Sequence, residues 1–439
     1  MESARSIVPA SDGGLFVAGT LGCPDGVGRQ SPNPNAEDPV CDRAFVARYS
    51  RTGERSWMWM AGQGESAADS LALAQDGSLV VRGSFIGDVN FDPGASNTTL
   101  RAPWSMQSAS STTHLDTNGH HLRSERGRRS PDHALAMLPD GGMLFSDSHR
   151  IRGGGRSNFV AALVKAGPDG RNVWSRSFDG QPMSTLDHAA VLADGSIYAT
   201  GGYSVPDDEG SVEFFAKLDA SGAIVWIRTI ESQHVMVTAI AVAPDGSLVV
   251  GGPGGREEID LDPGPGVDHV QPGLGELAWA MQLRPDGERA WAYSFTAFDP
   301  RIGSIAVGAD GAVTLFVSGG GVPNFGTRAS PDPRAFGSSP AYLVRLAADG
   351  RYEGAIALMS PARTGPQGSP LGGRVDAAEM LVDSTGALLI AGNVRQTADL
   401  RFTDSPPLRD VLEDVFDVMV ARIEPAAFTP AALAAERAH

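Results

Sequence analysis

The chain has 439 residues, and its 54 glycines and 30 prolines, combined with 41% hydrophobic residues, predict many short strands joined by tight turns and exclude a disordered protein. The formal net charge of -17 excludes a nucleic-acid backbone as the main partner and favours cations or basic partners. No run of about eighteen apolar residues occurs, which excludes a membrane-spanning helix.

Near the N-terminus, Cys23 and Cys41 bracket a polar loop that is rich in proline and glycine. A disulfide between them would close this surface loop covalently and would imply an oxidising compartment. The alternative is two unpaired thiols. Because the pair is alone in the chain and brackets a single loop, the sequence favours the disulfide.

A hairpin signature recurs along the whole chain: an apolar strand runs into a turn such as Asp-Gly, and a second apolar strand follows. Examples are SLALAQDGSLVVRG at 70–83 and AIAVAPDGSLVVGG at 239–252. Glycine adopts the positive φ of such turns without steric cost, so each copy predicts a β-hairpin. The seven turn glycines are Gly13, Gly77, Gly141, Gly195, Gly246, Gly311 and Gly386.

A second signature lies between successive copies of the first. An aromatic-led strand, a polar turn with glycine and a strand with tryptophan follow one another, as in FFAKLDASGAIVW at 214–226. We expect the tryptophans to fill the space between neighbouring sheets. The second copy is degraded, with Arg123 in place of tryptophan, and the seventh copy, FDVMVARIEP, has no tryptophan strand after it. The turn glycines are Gly53, Gly119, Gly170, Gly222, Gly287 and Gly350.

Together the two signatures supply two hairpins, or four strands, per repeat, and seven repeats predict an all-β, seven-bladed β-propeller of four-stranded antiparallel blades. Residues 1–425 form one domain in this interpretation, and residues 426–439 form a C-terminal tail. The fourth strand missing from the last repeat is expected from the AAFTP stretch at 426–430. The predicted blades are 4–62, 66–127, 130–180, 183–230, 234–295, 301–359 and 375–425.

From about Ser6 to Glu424 the repeats resemble the bacterial β-propeller repeat family, whose units read like DGNVYVTG, DFDPG and DAFVAKLDANGNFVW. The resemblance implies the propeller fold and an exported or surface-attached bacterial protein, and it names no activity. The N-terminal MESARSIVPA lacks the charged-then-apolar pattern of a signal peptide. We therefore expect an exported protein whose leader is absent from this chain, with a cytosolic protein as the alternative.

Oxygen-bearing side chains alternate along the loop after the second strand in two repeats, which read DVNFDPG and EIDLDPG. Alternation places such side chains on one side of an extended segment, as a Ca²⁺ site requires. The alternative is a turn whose aspartate caps its own backbone. The candidate calcium ligands are Asp88, Asn90, Asp92, Glu258, Asp260 and Asp262.

Varied polar residues stand just before the first hairpin of each repeat. By analogy with other propellers, this strand lies nearest the central channel, so these residues could form a metal site or an acid/base pair at its mouth. The alternative is that they bond to backbone at the start of a strand. The candidate catalytic residues are Asp69, His133, Asp187, His188 and Glu379, and Asp132 and His234 stand at the same level.

No nucleophile elbow, phosphate loop or zinc spacing occurs in the sequence. We therefore expect a non-catalytic, monomeric protein that binds a protein or a glycan at the cell surface through its loops, with no nucleic-acid partner. Trp104 and the loops 21–42, 253–276 and 319–340 are the expected contacts. The alternative is an enzyme at the channel mouth, either a polysaccharide hydrolase or lyase or a metal-dependent enzyme.

Overall fold

The computed structural model shows an all-β protein with a β-propeller arrangement, as the repeats predicted. Within the described part of the chain no helix is long and apolar enough to cross a membrane. The described residues are 3–22, 42–74, 76–94, 98–103, 108–127, 134–138, 140, 142–150, 159–168, 170–178, 185–204, 211–231, 234–272, 275–326, 341–358, 363–364, 370–371, 374–395 and 416–429.

The first two repeats each form one four-stranded antiparallel sheet, and the second carries a two-stranded ribbon between its second and third strands. The first sheet contains β1 (Ser3–Pro9), β2 (Leu15–Leu21), β3 (Arg43–Tyr49) and β4 (Arg55–Met60). The second contains β5 (Glu65–Leu73), β6 (Leu79–Ile86), β9 (Ser108–Leu115) and β10 (His121–Arg126), with β7 (Asp88–Asn90) and β8 (Thr99–Arg101) in the ribbon.

The third and fourth repeats have the same four-stranded order without a ribbon in the described residues. The third sheet contains β11 (Ala134–Met137), β12 (Met143–Arg150), β13 (Phe159–Ala166) and β14 (Asn172–Ser177). The fourth contains β15 (His188–Val191), β16 (Ile197–Ser204), β17 (Ser211–Leu218) and β18 (Ile224–Glu231).

The fifth and sixth repeats share one seven-stranded sheet, because β24 continues for 19 residues from one repeat into the next. Its strands are β19 (Ala239–Val242), β20 (Leu248–Gly255), β23 (Glu276–Leu283), β24 (Arg289–Val307), β25 (Val313–Asn324), β26 (Ala341–Leu346) and β27 (Tyr352–Ala357). Two ribbons accompany it in the chain, β21 (Ile259–Asp260) with β22 (His269–Val270) and β28 (Arg363–Thr364) with β29 (Pro370–Leu371).

The last sheet has three strands in the described residues, namely β30 (Arg374–Val382), β31 (Leu388–Arg395) and β32 (Phe416–Ile423). The expectation that the following stretch supplies a fourth strand is wrong, since Pro425–Phe428 forms a 3₁₀-helix. Pro425 stands in the first turn of this helix, where its fixed φ and missing N–H are tolerated.

The predicted count of seven separate four-stranded blades is also wrong. Within the described residues, five sheets have four or more strands: four sheets of four and one of seven. Two features account for the difference, namely the unbroken β24 and the absence, in the part of the chain that the structure describes, of an outer strand after β32. Neither the repeat pattern nor its spacing indicated that a strand would run on from one repeat into the next.

The predicted turns are confirmed. Every predicted turn glycine that the structure describes has a φ between 73° and 86°, and Gly141 lies outside the described residues. The aspartate before several of these glycines accepts hydrogen bonds from the turn itself, as when Asp194 Oδ1 accepts from the Ser196 N–H at 2.9 Å. These turns fix the strand order and therefore the orientation of each sheet.

The ring closes between the first and last sheets. The first strands of the repeats contact one another in the cycle β1, β5, β11, β15, β19, β24, β30 and back to β1. Ile7 donates its N–H to Glu379 Oε2 at 2.6 Å, and Ala4 donates its N–H to Asn393 Oδ1 at 2.8 Å. Apolar side chains of the two sheets share one core, which includes Ile7 and Leu389.

Tryptophans fill the space between neighbouring sheets, as predicted. At four turn glycines a Cβ would come within 2.5–2.9 Å of an indole from the preceding repeat, so only glycine fits beneath the ring. The pairs are Trp57 over Gly119, Trp174 over Gly222, Trp226 over Gly287 and Trp291 over Gly350. Three of these indoles also donate Nε1–H to a backbone carbonyl of the turn, at 3.0–3.1 Å.

Candidate cleft at the loop face

A cleft of about 810 Å³ opens at the end of the propeller where the second strand of each sheet connects to the third. The ends of β16 and β20 and the starts of β17 and β23 contribute to its lining. The segment that leads into β19 and the middle of β24 complete it. The fourth repeat and the shared seven-stranded sheet therefore meet at this cleft.

Glu213 is the one buried ionisable side chain among the residues that line the cleft, with 7% of its surface exposed. Its Oε2 atom has no hydrogen-bond partner among the described residues. On the paired strand, Gly202 lies opposite Glu213, and a Cβ at position 202 would come within 3.1 Å of Glu213 Oε1. The absence of a side chain at Gly202 therefore leaves room for the carboxyl group.

Burial, followed by the nearby charge of Asp187, raises the pKa of Glu213 to about 8, against a hydrogen bond from the Val237 backbone that lowers it. Both causes disfavour the ionised form of Glu213, because ionisation would place a negative charge away from water and close to the negative charge of Asp187. At neutral pH the Glu213 carboxyl group is therefore mostly protonated. In the protonated carboxyl group, the unpartnered oxygen can accept a hydrogen bond. Once the carboxyl group has lost its proton, it can pair with a cation.

Two sequence-predicted residues lie beside Glu213. The His188 Nε2–H donates to the Val237 carbonyl at 3.2 Å, and burial lowers the pKa of this imidazole despite that bond. The backbone of Val237 is thus held at its carbonyl by His188 and at its N–H by Glu213. Asp187 is exposed and accepts a hydrogen bond from Thr185 Oγ1 at 3.3 Å.

Charged side chains form the rim of the cleft. Arg256 and Glu276 approach within 2.9 Å, and His234 and Glu257 within 3.9 Å. Asp299, on the middle of β24, has a φ of 46°, and it is the one non-glycine residue with positive φ in the described residues. Such strain is often found at functional sites.

Apolar surface forms the walls between these polar groups. Met236 is 56% exposed, while Val235 beside it is buried. Pro253 and Pro300 also line the cleft, as does Tyr203, whose phenol pKa is raised by burial and by Glu231. A ligand in the cleft would therefore meet apolar walls, a charged rim and one buried carboxyl group.

The other predicted catalytic residues do not join this cleft. Asp69 forms an ion pair with Arg5 on the neighbouring inner strand, and Glu379 accepts hydrogen bonds from Ile7 and Ser6 across the ring closure. The structure therefore brings Asp187 and His188 together with Glu213 and leaves Asp69 and Glu379 elsewhere on the ring. His133, Trp104, Cys23 and Cys41 lie outside the described residues, so the disulfide and the contact at Trp104 stay predictions.

In the first candidate calcium loop the side chains alternate as expected, with Val89 and Phe91 buried between the three polar residues. The polar groups bond to protein atoms: Asp88 lies 3.5 Å from Arg101, and Asp92 lies 3.4 Å from His121. Asn90 Oδ1 accepts from the Asp92 N–H at 3.0 Å.

The second candidate loop repeats this arrangement. Glu258 lies 3.0 Å from His269, and Asp262 Oδ1 accepts from the Gly264 N–H at 2.9 Å. Although burial raises the pKa of Asp260, backbone N–H bonds from Asp268 and Asp262 lower it overall. In the described residues no group of three or more His, Cys, Asp or Glu side chains has a geometry that could hold a metal ion. The calcium site stays a prediction.

Sequence reasoning missed Glu213, although the repeats carry a signal for it. Glu213 stands nine residues before the turn glycine of its repeat, and four other repeats have a buried alanine at that position. A charged residue in a row of buried alanines marks a local departure from the repeat. The alanines are Ala44, Ala161, Ala278 and Ala341.

No protein-family model matches the chain, and no curated protein matches it. Among solved structures, extracellular domains 1-2 of Drosophila Semaphorin 1b are similar at 9% identity and a TM-score of 0.40, over 89% of this chain and 83% of that chain. A mutant Synechocystis apocarotenoid oxygenase is similar at 11% and 0.38, over 78% and 68%. A eukaryotic initiation factor is similar at 8% and 0.37, over 96% and 97%. At these scores the likenesses carry no argument about function.

Proposed function

We propose that this protein is a non-catalytic, exported bacterial propeller that binds a protein at the cell surface, with the cleft beside Glu213 as its ligand site. The observation that carries the proposal is that Glu213 lines an open cleft of about 810 Å³ and that its buried Oε2 has no hydrogen-bond partner among the described residues. Such an atom is costly to bury unless a ligand completes its bonding. The net charge of -17 favours a protein partner over a neutral glycan.

We further propose that the protein acts as a monomer. The first strand of each repeat contacts the first strands of its neighbours on both sides, so this chain closes the ring by itself. A closed ring holds the cleft walls in fixed positions, which lowers the entropic cost of binding.

An array of purified cell-envelope proteins and glycans tests the proposed function. We expect at least one protein whose binding is lost in Met236→Glu, which places a charge on an exposed apolar wall, and is retained in Glu54→Gln, an exposed change in the first sheet. Binding of glycans alone would show that the ligand is a glycan and not a protein. Binding that is unchanged in Met236→Glu would show that the cleft is not the ligand site.

A second candidate function is an acid/base enzyme, and one observation favours it. Glu213 has a pKa of about 8 and lies close enough to Asp187 to feel its charge. Two carboxyl groups with different environments can serve as acid and base in glycoside hydrolysis. A polysaccharide substrate screen with wild type and Asp187→Asn tests it, because turnover lost in that variant would favour the enzyme and absence of turnover would favour the binding protein.

A further inference from the structure

The buried oxygen of Glu213 restricts what the cleft can bind. A polyhydroxylated ligand needs several donors and acceptors, whereas Glu213 is the one buried ionisable group of the lining and presents a single unpartnered oxygen among the described residues. One strong interaction at the inner end is what a single cationic head group makes with a carboxylate. The other charged groups lie at the rim, where they remain in contact with water.

The charge of the surroundings favours the same class of ligand. Arg256 is occupied by Glu276 at 2.9 Å, so the basic group of the lining does not neutralise Glu213. Asp187, Glu257 and Asp299 add further negative charge around the opening. Carboxyl groups therefore outnumber basic groups here, and the potential attracts cations.

The apolar walls of the cleft suit a ligand with an aliphatic chain next to its cationic group. Val235, Met236, Pro253 and Pro300 line the cleft together with Glu213. A lysine side chain buries its methylene groups against apolar surface while its ammonium group makes polar contacts. The ring of Tyr203, also in the lining, can face a cation.

We infer that the cleft receives an alkylammonium group, the side chain of a lysine on the protein partner, and that Glu213 forms the ion pair with it. This inference rests on the proposed function and specifies its ligand. An ammonium group against Glu213 stabilises the carboxylate, so binding transfers the Glu213 proton to solvent. Other ionisable groups around the cleft are Asp187, His188, Tyr203, Glu231, His234, Arg256, Glu257, Glu276 and Asp299.

The proton transfer gives the test a readout beyond affinity. With the Glu213 pKa at about 8, binding at pH 7 should release close to one proton, and affinity should rise about 50-fold from pH 6 to pH 8. Calorimetry in two buffers of different ionisation enthalpy measures the proton count. The probe is Nα-acetyl-lysine methylamide, and its matched neutral control is the same molecule acetylated on Nζ.

Glu213→Gln is the diagnostic variant, because glutamine matches the shape of the protonated acid and keeps the fold. We expect it to bind the lysine probe more than tenfold more weakly, with no proton release, while Glu54→Gln binds as wild type does. Equal binding of the acetylated probe, full binding by Glu213→Gln, or no binding of the lysine probe would overturn the inference. In each of these cases the proposed function is tested separately, by whether the array contains a protein whose binding is lost in Met236→Glu.

Discussion

At the scale of single residues, Glu213 is held where its ionised form is unfavourable. The residue is 7% exposed, and its carboxyl group lies near Asp187 and has an oxygen without a partner among the described residues. Replacing a buried alanine of the repeat by such a residue costs stability unless function requires it. The structure reduces that cost in two ways, through the space above Gly202 and the hydrogen bond from Val237.

The pH dependence of stability should reveal this residue. The Glu213 pKa is about 8 in the folded protein against 4.5 ordinarily, so between these values the folded state holds a proton that the unfolded state has lost. Stability is then fully present below pH 4.5 and falls as pH rises through 8, by a few kcal/mol at most. Glu213→Gln should lack this loss. Urea unfolding at pH 5, 7 and 9 measures it, and curves that stay parallel for wild type, Glu213→Gln and Glu54→Gln would contradict the expectation.

At the scale of elements, the tryptophan at the end of one repeat packs against a turn of the next repeat in the ring. At two of the second-signature turns, Gly53 and Gly170, no atom of the described residues lies within 4 Å of a Cβ added to the glycine. Both follow a repeat without the tryptophan: Gly170 follows the repeat with Arg123, and Gly53 follows the last repeat across the closure. The interaction therefore depends on the indole itself, and its loss in one repeat exposes the next turn.

Arg123→Trp should restore the missing interaction. An indole at this position can cover Gly170 as Trp174 covers Gly222, and we expect stability to rise by about 1 kcal/mol. Trp291→Ala should lose about 3 kcal/mol or more, because Trp291 is 8% exposed. Denaturant midpoints measure both changes. Leu122→Trp, next along β10 and facing the opposite way, is the control, and an equal gain in this control would show that turn coverage is not the cause.

At this scale, local features could be predicted from the sequence and long-range pairing could not. Turn glycines and tryptophans were predictable because each depends on residues within a few positions of itself, as at Gly222 and Trp226. The continuation of β24 past Asp299 was not, because it depends on pairing with β25 across the sheet. Likewise, the environment of Glu213 could not be predicted from turn spacing, because Gly202, Asp187 and Val237 reach it from other segments of the chain.

At the scale of the whole molecule, stability depends on joining the two ends of the chain. Three successive sheets are linked at the closure, since Ser6 donates to Glu379 and accepts from the Leu71 N–H at 3.2 Å. Comparable bonds link other neighbours, as when Met380 donates its N–H to Ser304 Oγ at 2.9 Å. A ring held by such bonds is expected to open at its closure first, because the two sheets that meet there come from opposite ends of the chain and no loop connects them.

The Glu379→Ala substitution tests whether weakening the closure affects both ends of the chain. It removes the acceptor for the buried Ile7 N–H, which costs about 1–3 kcal/mol. Because β1 and β30 hold each other, amide hydrogen exchange should accelerate in both strands together, although they lie at opposite ends of the sequence. Thr238→Ala, which removes a 2.7 Å bond to the Ile302 carbonyl away from the closure, is the matched control and should leave β1 protected. Acceleration confined to β30–β32 would mean that the first sheet is stable without the last, and closure would then contribute little to the stability of the ring.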